Sequence, residues 1–278
     1  MLLGILSKVI SESLLSLYPV FVKNIGLSID LQLWSRCFSY AIISIIFIDY
    51  EYVFKTLFSK WGILLSLITV IHIYVSYRGF ELLESGISYS IFYLYPLFIL
   101  LLAKKPIHPV VVFMLLGTIV LMMDFQRISW KWEDISSGSN GKIEGLVMIL
   151  LAALTEAFIY FVVRNMKTAN HWNHIFISYF FGGIVLSVMF FDKIREMKLD
   201  SILSISLIIN VIIGIFGYLL RFFAISNLET VVYAPLSYIG IVMAYVYGLI
   251  FNREEITLQK MIGSLMIILP NIYLVFVK

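Results

Sequence analysis

YRGFELLESGISYSIFYLYPLFILLL, residues 77–102, closes one apolar run, turns through Glu84-Ser85-Gly86, and opens a second run carrying Tyr89, Tyr93, Tyr95 and Pro96. The pattern returns as LRFFAISNLETVVYAPLSYIGIVMAYVY, residues 220–247. Aligned on Arg78 and Arg221, the copies are 143 residues apart, which sets Phe80 against Phe223, Leu82 against Ile225 and Tyr95 against Tyr238. Glu12 and Glu156, and Lys23 and Lys167, recur at an offset of 144, and Gly117 and Gly263 at 146. Ordered matches with a slowly drifting offset are what duplication followed by small loop insertions leaves. A repeat of half the chain is an architectural signal.

Composition names the solvent. Hydrophobic residues make up 61% of the 278 residues, charged residues 13%, and the mean hydropathy is +0.99. Soluble domains average about 45–50% apolar and about 25% charged residues. The excess cannot be hidden in one soluble core, so the chain reads as an all-α polytopic membrane protein. The net charge of +3 is small and its basic residues are scattered, which argues against nucleic acid as a partner. Cys37 is the only cysteine, so neither an internal disulfide nor a multi-thiolate metal site is expected. The first run carries Lys8 and Glu12 and lacks a small-x-small cleavage site, unlike a secretory signal.

A spanning helix needs about 20 mainly apolar residues. On that basis there are ten: 3–23, 32–50, 61–82, 85–103, 107–124, 143–165, 173–191, 202–224, 229–251 and 258–277. The segment 125–142 is polar and carries Gly and Ser, so it reads as a linker between residues 1–124 and 143–278. Five spans per half force the halves to enter the membrane from opposite sides. The expected fold is therefore ten transmembrane helices in two inverted five-helix repeats, an arrangement that places solute sites near the midplane. An even number of spans puts both termini on one side, expected to be the cytoplasmic side of the cell's inner (plasma) membrane. Lysine and arginine divide seven to nine between the two sides, which is no bias for the positive-inside rule.

FELLESGISYSIFYLYPLFILLL and its echo FAISNLETVVYAPLSYIGIVMAYVYGLIFNREEITLQKMIGSLMIILP resemble the drug/metabolite transporter superfamily, in its ten-helix EamA-like branch. The resemblance lies in the small or polar turn before the fourth run, the proline within that run, and an acidic pair before a glycine-containing last run. It covers essentially the whole chain, and Arg36 falls where such proteins often carry an arginine. Lys104-Lys105 depart from the pattern, where an acidic residue is expected; Glu254-Glu255 keep it. The resemblance implies alternating access, with runs 1, 3, 4, 6, 8 and 9 around a central cavity and runs 5 and 10 at the periphery. The first run is also similar to that of the small multidrug resistance proteins, except that Lys8 stands where their membrane glutamate aligns.

Candidate site residues follow from polar groups inside apolar runs. In the first run Gly4, Lys8, Ser11, Glu12, Ser16, Pro19 and Lys23 share one helical face. In the sixth, Glu144, Ala152, Thr155, Glu156, Tyr160, Arg164 and Lys167 repeat it. A charge at mid-bilayer costs about 2.5–3.5 kcal/mol on insertion scales, so Glu12 and Glu156 should face a cavity or a partner. Lys8, one turn from Glu12, is expected to pair with it. Glu156 has Ala152 at the matching position and is the better candidate to take and release a proton. His72 and Tyr77 in the third run, and Asn210 and Tyr218 beside Gly214, Gly217 and Arg221 in the eighth, could line a water-filled cavity. Tyr93, Ser237 and Tyr238 in the fourth and ninth runs offer rings and hydroxyls. Gly240, Ala244 and Gly248 read as a stripe for close helix approach. Arg78 and Glu81 read as an interfacial pair.

No phosphate-binding loop, nucleophile elbow or paired-histidine metal spacing occurs, so neither an enzyme nor a cofactor is expected. The expected function is secondary active transport of a small polar organic solute, an amino acid or amine-bearing metabolite, by a monomer or homodimer in contact with lipid, with proton coupling through Glu156. A solute bearing phosphate or a nucleotide sugar would need a more basic cavity, of which Arg221 and Lys8 offer a thin version. A non-transporting membrane scaffold would instead have a dry centre.

Overall fold

The structure, a computed structural model, describes residues 1–18, 22, 25–83, 85–105, 109–122, 140–197, 205–252 and 257–276. Pro19, Lys23, Glu84, Glu254-Glu255 and the expected linker up to residue 139 lie outside the described residues. The regular elements among those described are helices: α1 (Leu2–Leu15), α2 (Ile29–Ser44), α3 (Tyr50–Leu57), α4 (Lys60–Leu82), α5 (Ser85–Phe92), α6 (Tyr95–Leu102), α7 (Pro109–Met122), α8 (Asn140–Asn165), α9 (His171–Met189), α10 (Phe191–Arg195), α11 (Ile205–Asn227), α12 (Thr230–Leu236), α13 (Ile239–Asn252) and α14 (Leu258–Phe276). Four stretches, Lys60–Leu82, Ile143–Asn165, His171–Met189 and Ile205–Asn227, are long and apolar enough to cross a membrane. Pro109–Val120, Thr230–Ala244 and Met261–Pro270 are shorter apolar helices.

Local signals set the helix starts. Asp49, Ser59 and Asn170 cap α3, α4 and α9 by accepting from the backbone N–H of Tyr52, Gly62 and Trp172, which satisfies donors the first turn leaves unpaired. α6 ends with Lys104 at φ 51°, its N–H and that of Lys105 bonding back to Leu101 and Leu100. That is a left-handed helix stop usually taken by glycine.

Two expected continuous runs are broken. Pro96 has no N–H to give the Phe92 carbonyl, and the chain re-forms as α6 after Tyr93 and Leu94. Beyond Pro235 the N–H groups of Ser237, Tyr238, Gly240 and Ile241 each bond three residues back, and α12 gives way to α13. The helix ends at 92 and 236, and the restarts at 95 and 239, are each 144 residues apart.

The main pairings run between the early and late parts of the chain: α4 with α8, α1 with α11, α2 with α9 and α7 with α14. Small residues permit them. A Cβ on Gly217 would fall 2.6 Å from the Leu15 side chain, and in that space Ser11 Oγ donates to the Gly217 carbonyl at 2.8 Å. Gly117 in α7 packs on Met266 and the Gly263 carbonyl of α14. Trp34 of α2 donates from Nε1 to Ser187 Oγ of α9 at 2.8 Å.

Polarity is inverted relative to a soluble protein. Lys8, Glu12, Arg36, His72, Glu156 and Arg221 are all buried, whereas Ile46, Phe54, Val188 and Ile205 are each at least 70% exposed. An apolar exterior around a charged centre is what hydrocarbon solvent selects.

Candidate functional site

The polar face of α1 points inward: Gly4, Lys8, Ser11, Glu12 and Ser16 are all buried. Lys8 Nζ donates to Glu12 Oε1 at 2.5 Å, one turn along, and lies 3.7 Å from the centroid of the Tyr233 ring. Three further donors reach Glu12. Tyr95 Oη and Arg221 Nη2 each stand 3.0 Å from Oε1, and Tyr93 Oη stands 3.0 Å from Oε2. Arg221 then extends Nη1 to Glu156 Oε1 at 2.5 Å. One guanidinium thus joins Glu12 of α1 to Glu156 of α8 from its place on α11, and two cations balance two carboxylates. Truncating a member of such a buried set is costly, because a charge is left without its counterion.

Glu156 has a second neighbour. His72 Nε2 is 3.3 Å from Glu156 Oε2, and that oxygen has no hydrogen-bond partner among the described residues. His72 Nδ1 stands 3.1 Å from the Ala152 carbonyl, which can only accept, and 3.1 Å from Thr155 Oγ1. The hydrogen of a neutral His72 therefore sits on Nδ1, and Nε2 and Oε2 face each other as two acceptors. A proton on either one makes the contact favourable.

Arg36 of α2 forms a second centre. Five tyrosine rings surround its guanidinium, with centroids at 4.6 Å (Tyr18), 5.1 Å (Tyr218), 5.4 Å (Tyr40), 5.6 Å (Tyr77) and 5.8 Å (Tyr179). It donates to the hydroxyls of Tyr77 at 3.1 Å and Tyr179 at 3.3 Å, and its Nε has no partner. Among the described residues no carboxylate pairs with it. Tyr18 and Tyr40 share a hydrogen bond of 2.8 Å against Gly214, where a Cβ would overlap both hydroxyls. Tyr218 also lies 5.4 Å from the Arg221 guanidinium and so stands between the two centres. A cavity of about 30 Å³, room for a water or two, opens there and is lined by Arg36, His72, Ser76, Tyr77, Tyr93, Tyr218 and Arg221 among others.

Of the residues expected in the site, Lys8, Glu12, His72, Tyr93 and Glu156 meet in the first centre; Tyr77 and Tyr218 belong to the second. Asn210, Ser237 and Tyr238 are buried apart from both. The Ser237 hydroxyl bonds back to the Tyr233 carbonyl, and Asn210 Oδ1 and the Tyr238 hydroxyl have no partner among the described residues. The expectation that Glu156 lacks a basic partner is corrected, because Arg221 supplies from α11 what Ala152 cannot. At Gly240 a Cβ would fall 1.7 Å from the Tyr93 hydroxyl, so the glycine makes room for that ring, and its carbonyl accepts from Ser16 Oγ at 2.9 Å. The sequence places Arg221 only as a cation on a cavity-facing helix and does not single out Arg36, Tyr95 or Tyr233 as site residues. Arg221 lies near the end of its expected run and was matched with Arg78, which is instead partly exposed and pairs with Glu81 at 2.6 Å and Glu144 at 2.9 Å. Neither α7 nor α14 contributes a described residue to the centres or the cavity.

Comparison with known proteins adds a fold and a family. A solved structure described only as a crystal structure of a protein superposes with a TM-score of 0.70, covering 99% of both chains at 13% identity. No curated protein matches the chain. The family model of the EamA-like transporter family matches residues 143–276, the portion that supplies Glu156, Arg221 and Tyr233. With its apolar helices, that match makes the chain a multi-pass integral membrane protein whose residues 143–276 match the EamA-like transporter family, consistent with the drug/metabolite transporter superfamily.

Proposed function

We propose that this chain is a secondary active transporter that moves a small polar organic solute, an amino acid or amine-bearing metabolite, by alternating access. The observation that carries the reading is the buried, charge-balanced set Lys8–Glu12–Arg221–Glu156 beside a small cavity lined by Arg36, His72 and Arg221 among others. A scaffold has no use for so many buried charges, each costing about 2.5–3.5 kcal/mol at mid-bilayer. Paired charges of both signs and tyrosine faces suit a zwitterion or an amine better than a simple lipophilic cation.

In this reading ten spans form two inverted halves, 1–124 and 143–278, joined by 125–142. The helix pairings support it. Exchanging the first run with the sixth, the second with the seventh and so on turns the α1–α11 contact into α8–α4. The same exchange leaves α2–α9 and α7–α14 unchanged. A two-fold axis between the halves gives that pattern, and an odd number of spans per half lays the axis in the membrane plane. The facing acceptors of His72 and Glu156 support proton coupling, because the contact needs a proton that a transport cycle could deliver and release.

Flux into proteoliposomes of purified full-length protein, for a panel of labelled amino acids and amines with and without an imposed proton gradient, tests the reading. Saturable uptake of a panel member above empty liposomes, driven by the gradient, is expected. Panel-wide flux at the level of empty liposomes would overturn it.

A further inference from the structure

The four charges around Glu12 cancel; the charge on Arg36 does not. Its guanidinium is 4% exposed, and among the described residues only neutral tyrosine hydroxyls accept from it. Its Nε is buried without a partner on the wall of the cavity. Tyrosine faces attract a cation, yet they do not neutralise it, and a buried charge without a counterion is unfavourable. Arginine, unlike lysine, cannot shed its proton to escape that cost. The cavity is lined by a second cation, Arg221, whose Nε is also buried without a partner among the described residues. Two guanidinium side chains, each with an Nε unpartnered among the described residues and one of them an uncompensated charge, therefore line the same small cavity.

We infer that Arg36 in its tyrosine cage is an anion-binding subsite, and that the transported solute presents a carboxylate to it. This rests on the transport reading and narrows its substrate class to acids and zwitterions. A carboxylate entering the cavity would accept from Arg36, restore neutrality around it, and could accept from the hydroxyl of Tyr77, whose oxygen already takes a hydrogen bond from Arg36. The ammonium end of a zwitterion would then turn toward Glu156, which lies behind the cavity-lining His72, 3.3 Å from its Nε2, with an Oε2 that has no hydrogen-bond partner among the described residues. Room for only a water or two favours a flat carboxylate over a phosphate group, and the cavity must widen to take the rest of the solute.

The test compares L-alanine, L-threonine and L-leucine, each beside its methyl ester and its decarboxylated amine, with phosphoethanolamine as the phosphate arm. Two readouts are taken on the full chain: shift of the melting temperature in detergent, and flux in proteoliposomes. Acids should raise the melting temperature where esters and amines do not. Arg36→Gln should weaken acid binding about 10- to 100-fold, the worth of a hydrogen bond to a charged group, and abolish the difference between acid and ester. Arg36→Lys, which keeps charge without the planar fork, should fall between. Equal response of the wild type to acid and ester, unchanged acid affinity in Arg36→Gln, or tighter binding of phosphoethanolamine than of every acid would each overturn the inference. Should Arg36→Gln not fold, the wild-type acid–ester comparison decides by itself. A melting shift by acids without flux would keep the subsite and sink the transport reading; flux without acid preference would do the reverse.

Discussion

Replacing Glu12 with glutamine leaves two buried cations, Lys8 and Arg221, sharing the single carboxylate of Glu156. The side chain keeps its size, so nearly all the effect is electrostatic. Glu12 now accepts from Lys8, Tyr95, Arg221 and Tyr93, whereas a glutamine offers one acceptor oxygen and turns an NH₂ toward donors. Loss of an ordinary hydrogen bond costs about 0.5–1.5 kcal/mol. Removing one partner of a buried pair costs about 3–5 kcal/mol, so the charge dominates. At about 2–4 °C per kcal/mol for a chain of this size, Glu12→Gln should melt roughly 6–20 °C below the wild type. Tryptophan fluorescence on heating in detergent reads this directly. Adding Lys8→Met removes the surplus cation, so the double variant should regain part of the loss, with a coupling of about 0.5–3 kcal/mol. A Glu12→Gln protein melting within about 2 °C of the wild type, or no recovery on adding Lys8→Met, would show that the four charges are not a balanced set.

Other substitutions probe neighbouring contacts. Glu156→Gln removes one ion pair and the His72 contact, fewer interactions than Glu12 makes; its melting loss should be the smaller of the two, and its proteoliposome flux should no longer respond to a proton gradient. Gly240→Ala drives a methyl group into the Tyr93 hydroxyl and should cost about 1–3 kcal/mol, part of which Tyr93→Phe should restore in the same melting assay. Arg78→Ala breaks only a partly exposed pair and should change stability by less than about 1 kcal/mol, while Arg221→Ala should lose both stability and flux.

Period and polarity made much of this legible. Glu12, Glu156 and Lys8 stand out because a charge inside an apolar run needs a reason, and the helix period puts Lys8 within reach of Glu12. The breaks after Phe92 and Leu236 were hidden, since Pro96 and Pro235 sit in runs whose apolar character never lapses. Arg221 was in plain view but hard to place. Distance from a run's end says little about depth when the helix is tilted or extends further, and α11 continues to Asn227. The Arg36 cage could not be read at all. Its five tyrosines come from the stretch after α1, from α2, α4, α9 and α11, and only tertiary packing selects those five from 17.

Glu12 and Arg221 are 209 residues apart in the chain, and synthesis runs from the first to the second. When α1 is made, the guanidinium that will hold its carboxylate does not yet exist. Lys8 does, one turn away on the same helix, and a local pair offers the lipid a neutral ion pair in place of a bare charge. Glu156 waits only 65 residues for the same arginine and carries no such escort. The lysine therefore has a second meaning in time: it is the first counterion of a nascent helix, and it keeps that place beside Glu12 and against the ring of Tyr233 once Arg221 has joined.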